Sequence, residues 1–340
     1  MVNIKIKDIA KHANVHQSTA SIVLNGKGDK IGIAAKTQQK IFEAARSLGY
    51  SPNISARRLR NGEETISPVI ALFWPVDTRS YLIGSFLNSV QKELSSYDQE
   101  YDLLIQPFVG SHIKDIRSLI TGTRFNGAII TNLSEEDEKF LEESSPNVPI
   151  VLYQRYSEKY SYVNTDNYAN GREIARLYAN RGHQNVSIII PDVDSSAARL
   201  RRDGFLEGVK EFGLTLAEGH IAYGSYSEKG GYNACKELLK YSKNTTALFV
   251  LSDHMAVGAL VALDELGIKV PDDLELVSHD DYEIAQFTKP SLTSMHIPVD
   301  DMAKGCVNTL TALMSHKATA PVCKHYNSHL VVRNSCGGFR

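Results

Sequence analysis

From Ser67 onward one pattern repeats: a short apolar run rich in β-branched residues, then an amphipathic stretch. The runs are PVIALFW, YDLLIQ, GAIITN, VPIVLY, VSIII, TALFVL and LELVSHD. At this length and bounded by polar residues they read as strands, and their apolar character means both faces are covered, as in a parallel sheet. Between them, SFLNSVQKELSSY, GREIARLYANRG, DGFLEGVKEFG, GGYNACKELLKY and HMAVGALVALDELG place apolar residues at helical spacing. Alternating strands and helices predict an α/β core with a parallel sheet between helical layers. There are too many units for one compact sheet, and the pattern breaks near Val163–Asp166. The expectation is two consecutive doubly wound parallel-sheet lobes.

Open sheets of this type hold ligands just beyond the carboxyl ends of their strands. The candidate lining residues are therefore Trp74 and Asp77, Gln106, Asn132, Gln154 and Arg155, Asp192, Ser252 and Asp253, and His279 to Asp281.

The first 50 residues have a different texture. In Ile4–Asn25, IKIKDIAKHANVHQSTASIVLN, the apolar Ile6, Ile9, Ala10 and Ala13 recur at helical spacing. Asn14-Val15 then break the pattern, and Asn is one of the few residues that tolerate the left-handed conformation a tight turn needs. A second helix is predicted from about Gln17 to Leu24, with Ala20, Val23 and Leu24 inward and Gln17, Ser18, Ser21 and Ile22 outward. That outward face is uncharged but rich in hydrogen-bonding groups, which suits a helix reading base edges in a major groove. A corner of any small helical domain is the competing reading. A third helix is predicted from about Ala35 to Leu48, with Gly49 as its C-cap, completing a small all-α head.

Charge separates the head from the body. Residues 1–62 carry a net +8, and the remaining residues a net −10, within a total of −2. A basic head on an acidic body implies a polyanion partner for the head alone. After Pro52, the segment ISARRLR is helix-compatible and very basic but too poor in apolar residues to be core, so it needs phosphates or a partner copy to order it. A plain charged linker is its alternative.

Other functions find little support. Cys235, Cys306, Cys323 and Cys336 are dispersed, with no CxxC pair and no His cluster at metal spacing, so reduced thiols and no metal or cofactor are expected. The start MVNIKIKDIA has no uninterrupted apolar core and no cleavage-like site, and no apolar run approaches a membrane span, so a cytoplasmic protein is expected. There is no Walker loop, GxGxxG or GxSxG, and the adjacent pairs Asp272-Asp273 and Asp280-Asp281 do not by themselves imply acid–base chemistry. No enzyme is expected.

Taken in order, these pieces resemble the LacI/GalR family of transcriptional regulators over nearly the whole chain. The helix-turn-helix resembles IKDIAKHANVHQSTASIVLN. A YxPN-xxAR-xL hinge follows in Tyr50, Pro52, Asn53, Ala56, Arg57 and Leu59. The body resembles a type I periplasmic-binding-protein-like core through NTDNYANGREIARLYANRGHQNVSII, SSAARLRRDGF, TALFVLSDHMAVGAL and PSLTSMHIPVDDMAKG. The resemblance implies a head over 1–50 and a hinge over 51–66. The core at 67–340 divides into an N-lobe of about 67–163 plus 297–326 and a C-lobe of about 164–296 plus 327–340.

Roles implied by the resemblance follow position. Gln17 and Ser18 match base-reading residues, and Thr19, Ser21 and Asn25 match residues that bind or position phosphate. Leu59 matches a hinge leucine that wedges into the minor groove, where an apolar side chain unstacks a step and flanking arginines meet phosphates. Arg201 matches an arginine that clamps ligand hydroxyls, and Asp280 a ligand-binding aspartate. Tyr226 and Trp74 stand where stacking aromatics sit; Ser252 takes a position commonly Asn, and Gln154 one commonly Asp. The departures are specific. His16 replaces the usual Ser/Thr N-cap, so helix entry is weaker or His16 itself meets phosphate. Ile22 replaces a frequent Arg, leaving an apolar contact such as a thymine methyl. The loop GKGDKIGIAAKT is longer than usual, and Ile297 stands where many members have Gln.

The implied function is a repressor whose affinity for an inverted-repeat double-stranded DNA operator is set by a small molecule, a sugar or sugar derivative, bound between the lobes. CGGFR ends the chain with no heptad tail, so a homodimer is expected rather than a tethered tetramer. The alternatives are a sugar-binding module without DNA function and a regulator controlled by a protein co-regulator.

Overall fold

The structure, a computed structural model, describes residues 4–48, 50, 67–76, 83–122, 124–193, 195–216 and 219–337. The hinge positions Asn53, Ala56, Arg57 and Leu59 lie outside the described residues, as do Asp77 and Gly49.

The head has helices Ile6–His12, Gln17–Leu24 and Ala35–Ser47. Asn14 adopts φ 53°, the left-handed turn expected between the first two. Helices this short are stabilised by what they bury. Here Ile9, Ala20, Val23, Ile41 and Ala45 are fully enclosed in one cluster. The long loop before the third helix is fastened by Gln38, whose Nε2 donates to Asp29 Oδ1 and to the Ile33 carbonyl, each at 2.7 Å.

Two six-stranded sheets form the core. Strands β1 (Val69–Pro75), β2 (Asp102–Phe108), β3 (Gly127–Thr131), β4 (Ile150–Tyr153) and β5 (Ser161–Thr165) are followed by β6 (Val186–Pro191), β7 (Ile221–Gly224) and β8 (Ala247–Val250). Then come β9 (Glu275–Asp280), β10 (Thr293–His296), β11 (Cys323–Tyr326) and β12 (His329–Val331). The first sheet has the order β11-β5-β4-β3-β1-β2, and the second β12-β10-β9-β8-β6-β7. β1 pairs in parallel with β2 and β3, and β8 with β6 and β9; β12 runs antiparallel to β10 at an edge. Each sheet therefore reverses its winding once, between β1 and β3 and between β6 and β8, and ligands gather at such points.

The chain separates into two compact units. One comprises Met1–Pro75, Leu87–Tyr162 and Ala303–Cys323; the other comprises Val76–Phe86, Val163–Met302 and Lys324–Arg340. In the second unit, Tyr178 is fully buried, its hydroxyl donating to the Leu248 carbonyl at 2.7 Å and accepting from the Val277 N–H at 3.1 Å. A phenol in the core carries a polar atom that must be satisfied, and this one ties β8 to β9.

Gln106 corrects one expectation. β2 continues to Phe108, with Gln106 opposite Phe73 inside the ladder, so it does not lie beyond a strand end. Pro107 falls on an edge strand, where its missing N–H leaves no ladder bond unmade.

Candidate effector site and nucleic-acid interface

The carboxyl edge of the second sheet brings together Arg201, Tyr226 and Asp280. Asp280 is the last residue of β9 and takes φ 107°, followed by Asp281 at φ 56°. Positive φ strains a residue with a side chain and persists where the surroundings hold it. Here they do: the Asp281 N–H donates to Ser294 Oγ at 3.0 Å, and the Tyr282 N–H donates to Asp253 Oδ2 at 2.7 Å. Arg333 Nη2 meets Asp281 Oδ1 at 2.7 Å, and His296 Nδ1 lies 3.0 Å from Oδ2.

This turn aims the Asp280 carboxyl at three groups. His279 Nδ1 lies 2.9 Å from Oδ1, Arg201 Nη1 lies 3.5 Å from the same oxygen, and the Tyr226 hydroxyl donates to Oδ2 at 3.2 Å. Arg201, on the helix Ser196–Glu211, is steered by Asn167, whose Oδ1 accepts from Nε at 2.8 Å, and by the Leu251 carbonyl 3.4 Å from Nη1. Ser252 follows β8 and precedes the helix Asp253–Glu265 but does not cap it through its side chain. Two buried polar atoms here, Ser252 Oγ and His279 Nε2, have no hydrogen-bond partner among the described residues. Such atoms are unusual in a native interior.

Burial, with the Arg201 charge adding to it, lowers His279 to about 4, so its imidazole is neutral near pH 7. A neutral ring donating through Nδ1 to Asp280 leaves Nε2 as an acceptor. Burial, together with the nearby Asp280, pushes Asp253 up to about 7. The two shifts act oppositely on stability. Between about pH 4 and 6.5 the unfolded chain binds a proton at His279 that the fold does not, so this term improves stability as pH rises. Between about pH 4 and 7 the fold keeps a proton on Asp253 that the unfolded chain has lost, so that term weakens stability as pH rises. Asp253→Asn removes only the second. The variant-minus-wild-type unfolding free energy should climb by about 4 kcal/mol from pH 4 to 7. Thermal or urea unfolding across that range reads it, and a flat difference curve rejects it.

The other expected lining residues sit differently. Asp192 is exposed. Gln154 is buried after β4 at φ 58°, and Trp74 is buried near the end of β1, both in the first unit. Arg155 is structural: its Nε and Nη2 donate to the Leu133 carbonyl, and Nε lies 2.7 Å from Glu138. His183 lies against Glu275 and Thr246, 3.0 Å from each, and is structural too. Asn167 is the neighbour of Arg201 that the residue types alone did not single out. It opens the helix Asn167–Asn180 right after the Asp166 N-cap, a position that turns its side chain away from solvent.

In the head, Gln17 and Ser18 are exposed, and Thr19, Ser21 and Ile22 are half-buried. His16 corrects an expectation. It caps the second helix as a Ser or Thr would, its Nδ1 accepting from the Ser18 N–H at 3.3 Å, so helix entry keeps a side-chain acceptor. Asn25 closes the same helix, Nδ2 donating to the Ser21 carbonyl at 2.6 Å.

Comparison with known proteins matches residues 5–53 to bacterial regulatory proteins of the lacI family, and residues 175–336 to a periplasmic binding protein-like domain. A LacI family transcription regulator from Clostridium acetobutylicum has a solved structure 31% identical, TM-score 0.75, covering 79% of this chain and 100% of its own. The chain belongs to the LacI family. A complex of the transcriptional regulator CelR with cellobiose is 26% identical, TM-score 0.71, and covers 98% of this chain and 99% of its own. The probable HTH-type transcriptional repressor ExuR of Bacillus subtilis (strain 168) is 27% identical over 337 residues, 98% of each chain. As a LacI-family member the protein is a DNA-binding transcriptional repressor controlled by a small-molecule effector. Among the described residues no helix is long and apolar enough to cross a membrane, and no three metal-binding side chains cluster.

Proposed function

We propose that this repressor acts as a cytoplasmic homodimer on an inverted-repeat operator and responds to a sugar or sugar derivative held at the Asp280 edge of the second sheet. It catalyses no reaction and needs no cofactor. The observation that carries the reading is the Asp280 carboxyl set among the Arg201 guanidinium, the Tyr226 hydroxyl and the His279 ring. Neighbouring hydroxyls both donate and accept, so a carboxyl can take two of them while a planar guanidinium fork donates to two oxygens. Ser252 Oγ and His279 Nε2 would add further polar contacts, and the Tyr226 ring a stacking face. The cellobiose complex of CelR supports a carbohydrate.

On the DNA side, two copies place two recognition helices on symmetric half-sites. Gln17 and Ser18 read bases, with Ile22 as an apolar contact; His16, Thr19, Ser21 and Asn25 serve the backbone. Asn53, Ala56, Arg57 and Leu59 form the hinge, Leu59 acting as the minor-groove wedge.

The test is selection of operator fragments from a random pool, followed by operator affinity measured against monosaccharides, disaccharides, sugar phosphates and purines. At least one carbohydrate should change affinity tenfold or more; a response to purines alone would replace the carbohydrate assignment. Gln17→Ala should cost about 1–3 kcal/mol of operator binding and relax preference at one base pair. An unaltered base preference would mean that Gln17 does not read the operator.

A further inference from the structure

The cap of the recognition helix bears on which base the helix can read. His16 Nδ1 faces two groups of the same residue, the Ser18 N–H at 3.3 Å and Ser18 Oγ at 2.7 Å. A backbone N–H can only donate, so the lone pair of Nδ1 points at Ser18 and the ring proton sits on Nε2. An imidazole nitrogen with its lone pair forward cannot donate to Oγ, so the short contact must be the Ser18 hydroxyl donating to it. The hydroxyl proton is then committed to the cap, and only the oxygen lone pairs remain for any other partner.

We propose that His16 is a positioning residue that makes Ser18 an acceptor-only reader, so that the base facing Ser18 presents an exocyclic amino group. This rests on the reading above that the exposed face bearing Ser18 lies in the major groove. A serine whose hydroxyl turns freely tolerates donors and acceptors alike. With its proton taken, Ser18 matches adenine N6 or cytosine N4 and is mismatched to guanine O6 and N7 and to thymine O4. A Ser or Thr cap satisfies the same backbone N–H, but its own hydroxyl can rotate, and it does not hold the Ser18 proton in this way. The histidine at position 16 therefore adds selectivity through a side chain that itself touches no base.

The experiment uses the full-length protein. Selection from a random pool with wild type and Ser18→Ala locates the base pair whose preference the substitution flattens. Duplexes are then made with the amino group removed at that pair, purine replacing adenine or 2-pyrimidinone replacing cytosine. Amino removal should weaken wild-type binding about five- to tenfold, leave Ser18→Ala nearly insensitive, and matter less than about twofold for His16→Thr, which keeps a capping oxygen but releases the Ser18 proton. Equal sensitivity in His16→Thr and wild type, or insensitivity of wild type at a position Ser18→Ala does flatten, would overturn the assigned hydroxyl orientation alone. Ser18→Ala leaving every position unchanged would remove Ser18 from the bases, and with it the underlying reading.

Discussion

Gly171→Ala should destabilise the second unit by about 3 kcal/mol or more, a large effect for the addition of one methyl group. A Cβ at Gly171 would lie 1.9 Å from the Arg201 carbonyl oxygen and 2.8 Å from the Phe205 nitrogen, both backbone atoms of the facing helix. The approach is mutual, since a Cβ at Gly204 would lie 2.0 Å from the Tyr168 carbonyl oxygen. Neither neighbour is a flexible tip that can swing aside. The helices Asn167–Asn180 and Ser196–Glu211 must separate, opening the cluster of Ile174, Tyr178, Phe205 and Val209 between them and β6. Gly84→Ala is the control: a Cβ there meets nothing within 4 Å, and helix propensity favours alanine by about 1 kcal/mol. Urea unfolding of both variants tests the pair. Equal stabilities would show that the helices are not packed through these glycines. The same step moves the backbone of Arg201, so Gly171→Ala should also weaken the effector response.

Most of the architecture was legible because burial on two faces writes itself into composition. All seven apolar runs mark strands, and Val163 begins the longest segment of the second compact unit. What escaped were elements whose residues do not carry the pattern. β5, β7, β10, β11 and β12 lie at or next to sheet edges, where part of each strand meets solvent and the sequence turns mixed, as in CKHY and HLV. The helix Glu135–Glu143 is so acidic that only the Ser134 cap and two buried side chains mark it.

The site was legible to a different degree. Strand ends are visible in a sequence; Ser252 stands two residues after β8, and Asp280 ends β9. Partners supplied by other parts of the chain are not visible. Nothing in RLRRDGF says which arginine turns inward; helix phase against Gly171 selects Arg201, while Arg202 is paired outside with Asp203. The positive φ of Asp280 is equally hidden, because it depends on Asp253 and Ser294 holding the turn from neighbouring elements. The His16–Ser18 contact is local in sequence, yet only side-chain geometry shows that histidine replaces a hydroxyl cap without losing the capping bond.

Arg201→Lys should abolish the effector response while leaving operator binding by the unliganded protein intact. Lysine keeps the charge, so a loss would isolate geometry. The guanidinium makes three directed contacts at once, through Nε to Asn167 and through Nη1 to Leu251 and Asp280, whereas an ammonium has no rigid fork to span them. The carboxyl of Asp280 would keep its bonds to Tyr226 and His279 but lose the group that fixes its remaining lone pairs. A charge-assisted contact from the guanidinium to the effector contributes about 3 kcal/mol, so the effector concentration giving half response should rise about 100-fold or more. The residues proposed to read DNA belong to the head, and none of the Arg201 contacts involves them. Operator titrations with and without the carbohydrate that shifts wild type measure both quantities in one experiment. A retained response would place the effector elsewhere. A joint loss of response and unliganded DNA binding would instead mean that Arg201 supports the fold, and Asn167→Ala, which frees only Nε, then separates the two by lowering the response without unfolding the unit.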